Sequence, residues 1–286
     1  MEKAFVFIFV SIVFTSGCAG LGGRIGPLSF EDPFTRLGIV HVQPSPEEQA
    51  GVTLRLSVPE GNILRIREET KIYAQVRDGR GKLIDLKDQR VETYRKGSRN
   101  DSYLLLAESS FEGHSGKIIE ETEISTRGEI LKLVQGKHDS REGKFTIMNW
   151  TRTPLFPEHP VKTGDAWSYE ESMSLRLNSI FVKQIEESPY KVQAKSTLTG
   201  FAEIKGRRCA VVETTTDQIQ TQRLKVLFKN LTLYIRSKVQ ETCYLDYRTG
   251  TVVAKVMKTQ THTNSADSKI NDYSISQSIS QLTGLP

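Results

Sequence analysis

The chain is predicted to be mostly β, a long curved antiparallel sheet of half-barrel or sandwich-like form with few short helices. Three observations predict this. Apolar residues recur at every second position, as at Leu54, Leu56 and Val58, which is the period of a strand with one dry face. Turn signals such as "DGRGK" (Asp78–Lys82) and "STRGE" (Ser125–Glu129) separate these runs, and glycine in them can take the positive φ that tight turns need. Helical spacing competes with alternation only at Ser172–Glu187 and Asp217–Leu227.

The first element is a leader. Ala4–Phe14 is eleven residues without a charge, preceded by Lys3. A spanning helix needs about 20 apolar residues, whereas the apolar part of an export signal needs about 7–15. Ser16 and Gly17 then precede Cys18. "TSGC" resembles the lipobox of bacterial lipoproteins, with Thr15 where leucine is usual. The resemblance implies loss of residues 1–17, a diacylglycerol on the Cys18 thiol and acyl chains such as palmitate. Ala19, rather than aspartate, implies an outer-membrane address facing the periplasm. Two or more acyl chains hold a protein lastingly, at about 0.8 kcal/mol per buried methylene. An ordinary cleaved signal with an incidental thiol is the plainer alternative.

Removing that leader leaves 269 of 286 residues, still at a formal charge of +5. Such a balance suits an anionic membrane surface or an acidic partner. Basic residues are interleaved with acids, as in Lys82–Arg90, and no dense basic patch with aromatics points to nucleic acid. Two further cysteines, Cys209 and Cys243, form an even pair in an exported chain and are therefore a disulfide candidate. Two buried thiols acting as small hydrophobes are the alternative. The five histidines, at 41, 114, 138, 159 and 262, lack ligand spacing, and CxxC is absent, so no metal site is expected. No cofactor motif is present either.

Downstream, residues 18–51 are rich in glycine and proline and are expected to form a tether, with one helical turn at "SPEEQ" capped by Ser45. A first β half spans 52–153 and a second spans 154–286. The first contains Leu54–Val58, Asn62–Glu68, Lys71–Val76, Arg90–Tyr94, Ser102–Ser109, Lys117–Ser125, Glu129–Val134 and Lys144–Trp150. Pro154, Pro157 and Pro160 then mark a crossover, because proline cannot donate to a ladder. The second half contains Tyr190–Phe201, Arg208–Thr215, Leu224–Phe228, Leu231–Val239, Thr242–Tyr247, Thr251–Lys258 and Ile270–Ile279. "EETEISTRGEILKL" (Glu120–Leu133) and "QETCYLDYRTGTVVAKV" (Gln240–Val256) echo each other. In each, a glycine (Gly128 or Gly250) can supply the left-handed residue of a bulged turn.

Candidate chemistry is sparse. In "FEGHSGK" (Phe111–Lys117) His114 and Ser115 are neighbours, and strand neighbours point to opposite faces, so they cannot act as a nucleophile and its base. In "KTGDAWSY" a carboxylate stands near an aromatic, a pattern seen in sugar sites, but no second carboxylate is singled out. Structural roles fit better: Gly164 and Asp165 turn the chain and Trp167 anchors the next strand. No catalytic residue is assigned, and the chain is expected not to be an enzyme.

"PVKTGDAWSY", "LTGFAEIKGRRCAVVE" and "CYLDYRTGTVV" together resemble bacterial envelope lipoproteins of the DUF6263-like kind, and more loosely the curved-sheet carriers of the LolA/LolB type. The resemblance covers Pro160–Met257 and implies a strongly curved antiparallel sheet without an assigned activity. A sheet with one dry face and few helices must close on itself or cover that face with something else. The expected function is therefore binding of a lipid, lipoprotein or protein partner near the membrane. The alternatives are an assembly factor without a cavity and a glycan-acting enzyme. A cavity above about 300 Å3 lined by leucine, isoleucine and phenylalanine would mark a lipid carrier.

Overall fold

Among the described residues, alternation builds thirteen antiparallel strands that join in one sheet. The computed structural model describes residues 33–75, 81–111, 117–138, 155–173, 182–184, 190–226, 229–265 and 271–284. The strands are β1 (Ile39–Val42), β2 (Ile63–Gln75), β3 (Gly81–Lys96), β4 (Ser102–Phe111), β5 (Lys117–Ser125) and β6 (Ile130–His138). They continue with β7 (Ala166–Met173), β8 (Val182–Gln184), β9 (Tyr190–Ile204), β10 (Arg207–Val226), β11 (Lys229–Asp246), β12 (Thr251–Ser265) and β13 (Asn271–Gly284). Among the described residues two five-residue helices, α1 (Pro33–Leu37) and α2 (Pro46–Ala50), precede β2.

The sheet order is β1-β9-β10-β11-β12-β13-β2-β3-β4-β5-β6, with β7 also on β9 and β8 on β10. The two predicted halves are thus two meanders of a single sheet, joined where β13 pairs with β2. They also share a core: Phe201, Val212 and Leu245 from one meander meet Leu64, Tyr94, Leu105 and Ile124 from the other. In a flat sheet β10 and β4 would lie roughly 29 Å apart, six spacings of about 4.8 Å. A shared core therefore requires a strong curl, and this face is the concave one. Among the described residues no ladder joins β6 to β7 or β1, so the curl stays open as a half-barrel.

One end of the curl, its base, is filled by the protein's own chain. Leu54, Leu56 and Val58 are buried at 0, 2 and 4 % exposure. Their alternation predicts a strand, but residues 53–59 pair with none. They run between the two echoed hairpin turns: the Leu56 amide donates to the Thr126 carbonyl and the Ser57 amide to that of Thr249, each at 2.8 Å. The period reported burial on one side, which a plug shares with a strand. Residues 155–161 form the predicted crossover and complete the base. Val52 and Val161 exchange backbone bonds at 2.9 Å, and the Phe156 amide donates to the Arg127 carbonyl.

The tether also requires correction. From Pro33 onward it is part of the fold. β1 pairs with β9 from Val42↔Phe201 to Ile39↔Ile204, and Leu37 is 2 % exposed in an apolar cluster on the convex face. The expected turn at "SPEEQ" is α2, with a capping box between Ser45 and Glu48. Asp217–Val226, where a helix competed, belongs to β10. Of Ser172–Glu187, Ser172, Met173 and Val182–Gln184 lie in strands. Cys18, residues 18–32, His114, Ser115 and Lys144–Trp150 lie outside the described residues.

Candidate functional site

The base owes its rigidity to the residues that the sequence singled out as anchors. Gly164 takes φ +96°, and the Asp165 carboxylate accepts from the Lys162 amide at 2.8 Å, closing the turn before β7. Trp167 packs on the core and its indole N–H donates to the Leu155 carbonyl at 2.6 Å. Gly128 (φ +85°) and Gly250 (φ +68°) form the two hairpin turns. Register shifts follow in each hairpin, at Glu123/Ile124 and in the β11–β12 ladder at Tyr244/Leu245, as a bulged turn requires. At Gly250 a Cβ would stand 2.1 Å from the Arg55 carbonyl oxygen. All four anchors serve the framework.

The disulfide expectation fails on register. Cys209 and Cys243 are both free and buried. Cys209 pairs with Asp246 and Cys243 with Val212 along an uninterrupted ladder. Three positions separate the two thiols, so they project from opposite faces. Cys243 belongs to the concave core and Cys209 to the convex cluster. Burial pushes the Cys209 thiol up to about 12 and raises Cys243 well above its ordinary value.

Above the plug, the concave face turns from apolar to charged. Arg90 is 8 % exposed and Glu92 6 %; the guanidinium donates to the Glu92 carboxylate at 2.8 Å. The Tyr94 hydroxyl donates to the other Glu92 oxygen at 2.8 Å, and Glu120 stands 3.7 Å from Arg90. Burial, reinforced by Glu92, raises the Tyr94 phenol. Across the curl, Lys255 is 4 % exposed and lies 3.6 Å from Glu241. Burial pulls its ammonium down, yet Glu241 and Cys243 outweigh this and hold it above its ordinary value.

Glu68 and Asp88 face each other directly in the β2–β3 ladder. The Glu68 carboxylate accepts from the hydroxyls of Thr70, Ser278 and Ser280. One buried Asp88 oxygen finds no hydrogen-bond partner. Burial and then the Glu68 charge push the Asp88 carboxyl up to about 7. The free space between the plug and the Arg90 and Lys255 groups is about 50 Å3, lined by Leu56, Leu64, Arg90, Glu92, Tyr94 and Lys255 among others, room for one or two waters. Sequence reading missed this cluster, because Arg90 and Glu92 alternate like residues of a solvated strand. Among the described residues no group of three or more histidine, cysteine, aspartate or glutamate side chains is placed to hold a metal.

The larger concavity, about 630 Å3, is a trough at mid-strand over β7, β9, β10 and β11. Its lining includes Tyr169, Lys195, Thr215, Asp217, Lys238 and Gln240, with Ala194 and Val239 as its aliphatic members. It exceeds the volume set for a lipid carrier, but leucine, isoleucine and phenylalanine are missing from its wall. Its walls offer hydrogen bonds and charges of both signs.

No family model matches the chain, and no curated protein matches it. Among solved structures, the β domain of the Bordetella autotransporter BrkA is similar at 8 % identity and a TM-score of 0.30, over 77 % of this chain and 99 % of that one.

Proposed function

We propose that the protein is a bacterial envelope lipoprotein, moored by a diacylglycerol on Cys18 at the outer membrane, whose β body works without catalysis by holding a protein partner. The observation that carries this reading is the occupation of the concave face. Its apolar base is filled by Leu54, Leu56, Val58 and Phe156 of the same chain, all at 4 % exposure or less. Directly above it the face is charged, with free space of about 50 Å3, far below the 300–1,000 Å3 of a typical ligand site, and farther out the concave Leu224, Leu233 and Ile235 are themselves buried at 2 % exposure or less. An acyl chain has no dry place to go there. The polar trough, by contrast, suits an extended polypeptide, whose backbone and side chains supply donors and acceptors along its length.

Three measurements test the parts separately. Cys18→Ala should release the protein from membranes and abolish labelling by radioactive palmitate; unchanged attachment defeats the anchor. A photo-crosslinking residue at Thr215 should give a discrete protein adduct in cells, and one at Lys132 on the other meander should not. Native mass spectrometry should find the purified body free of lipid. Stoichiometric phospholipid together with no adduct at Thr215 would restore the carrier reading.

A further inference from the structure

β10 and β11 continue past the end of β9, whose ladder with β10 stops at Gln218. On this distal stretch the concave side chains Gln222, Leu224, Leu233, Ile235 and Ser237 are buried. The alternate residues form the opposite face and are exposed. Register places Ile219 beside Arg236, Thr221 beside Tyr234 and Asp217 beside Lys238. The same face continues onto β12, where Lys258 stands opposite Gln240. Lys225, Arg236, Lys238 and Lys258 are all exposed, as is Arg223. Against these five cations the face sets Asp217, clasped by Arg236 at 2.7 Å, and Glu213 nearer the base. Ile219 and Tyr234 lie among them at 66 and 49 % exposure, two of the three large hydrophobic residues exposed among the described residues.

We propose that this convex face of β10–β12 is a docking surface for anionic lipid headgroups, with Lys225, Arg236, Lys238 and Lys258 meeting phosphates and Tyr234 and Ile219 entering the interfacial layer. The argument is charge and shape. A broad sheet face with an excess of cations complements a flat anionic surface, and a half-exposed tyrosine suits the boundary between headgroup and acyl chain. Each juxtamembrane cation strengthens binding about fivefold. A folded anionic protein would need a matching relief, whereas headgroups rearrange to meet the cations. The inference goes beyond the partner-binding reading, shares Asp217 and Lys238 with the trough so that a bound polypeptide and a membrane would compete there, and stands whether or not Cys18 is acylated.

The test uses the chain from Ala19 onward, which contains the whole described fold and no acyl anchor. It is sedimented with vesicles of phosphatidylcholine containing about a third phosphatidylglycerol. Binding at 50 mM salt is expected, falling steeply by 500 mM, with none to pure phosphatidylcholine. The triple variant Lys225→Gln, Lys238→Gln, Lys258→Gln should weaken binding on the order of 100-fold. A control with Arg95→Gln and Lys132→Gln, exposed cations of the other meander, should bind as the wild type does. Tyr234→Trp should shift its fluorescence to the blue on the anionic vesicles. Three results would overturn the proposal: no wild-type binding at low salt, equal loss in the control variant, or capture by a soluble polyanion such as heparin without vesicle binding. Thermal melts of all variants separate lost binding from lost folding.

Discussion

Replacing Asp88 with asparagine should stabilise the protein above neutral pH and flatten its pH dependence. Asp88 faces Glu68 in the β2–β3 ladder, where like charges oppose each other, and one of its buried oxygens lacks a partner. With its carboxyl pushed up to about 7 from an unfolded value near 4, the folded protein binds an extra proton between those limits. The stabilisation is fully present below pH ~4 and is lost as pH rises through about 7. Linkage gives a contribution of about 2.7 kcal/mol at pH 5 and almost nothing at pH 8. Glu48 does not offset this, because Arg208 holds its carboxyl down at about 2 and it titrates below that window. Urea unfolding followed by circular dichroism at pH 5, 6, 7 and 8 measures the slope. The wild type should lose about 2–3 kcal/mol across the range, whereas Asp88→Asn should lose under 1 and exceed the wild type at pH 8. An unchanged slope in the variant, or a wild type more stable at pH 8 than at pH 5, would refute the buried-carboxyl argument.

Three further substitutions and one assay probe the framework. Gly250→Ala should cost about 2–4 kcal/mol, since it adds a clash with the Arg55 carbonyl to an unfavourable φ. Gly206→Ala, at φ +76° with open space around it, should cost only about 1 kcal/mol in the same chemical melt. Alkylation of the chain from Ala19 onward in urea without reductant should add two groups, at Cys209 and Cys243, while the folded protein resists a thiol reagent at pH 8; a mass two daltons short of the dithiol would contradict the opposite-face geometry. Glu48→Ala should cost about 2–4 kcal/mol, because the carboxylate is 1 % exposed and takes both Arg208 bonds, at 2.6 and 2.7 Å. It should also remove stability that the wild type has above pH ~4.5 and loses toward pH 2, which acid titration of the two proteins would resolve.

Much of the strand content was legible because alternation is a local property. β4 and β5 lie within a residue or two of their predicted bounds, and both echoed hairpins carry the expected left-handed glycine. What escaped is non-local. The β13–β2 ladder pairs Tyr273 with Gln75, nearly two hundred positions apart, and nothing in either strand encodes the other. Cysteine count suggested a bridge, whereas pairing depends on which face each thiol takes, a matter of register. Leu54–Val58 misled for the same reason. Alternation records that one side is dry without saying whether the backbone meets a ladder or two turns. The 33–51 stretch read as tether because of its glycines and prolines, yet one leucine, one capping box and the Glu48–Arg208 pair dock it. The charged interior was hidden by its own polarity, since a strand polar on both faces looks solvated.

The plug explains how a charged interior and an open curl coexist. A sheet that curls without closing leaves its concave face wet unless something fills it. Here the filling is concentrated at the base, where Arg55–Ser57 lie between the Thr126 and Thr249 turns. These turns belong to different meanders, so a single extended segment ties the β5–β6 end of the sheet to the β11–β12 hairpin in its interior. Arg55 and Arg127 add bonds to the carbonyls of Glu158 and Phe156, fastening the crossover to the same point. With the base fixed this way, Arg90, Glu92, Glu241 and Lys255 need only satisfy one another, and closure by a β6–β7 ladder is not required to keep the curl. The convex face and the mid-strand trough, which overlap at Asp217 and Lys238, are then left as the surfaces on which a partner or a membrane can act.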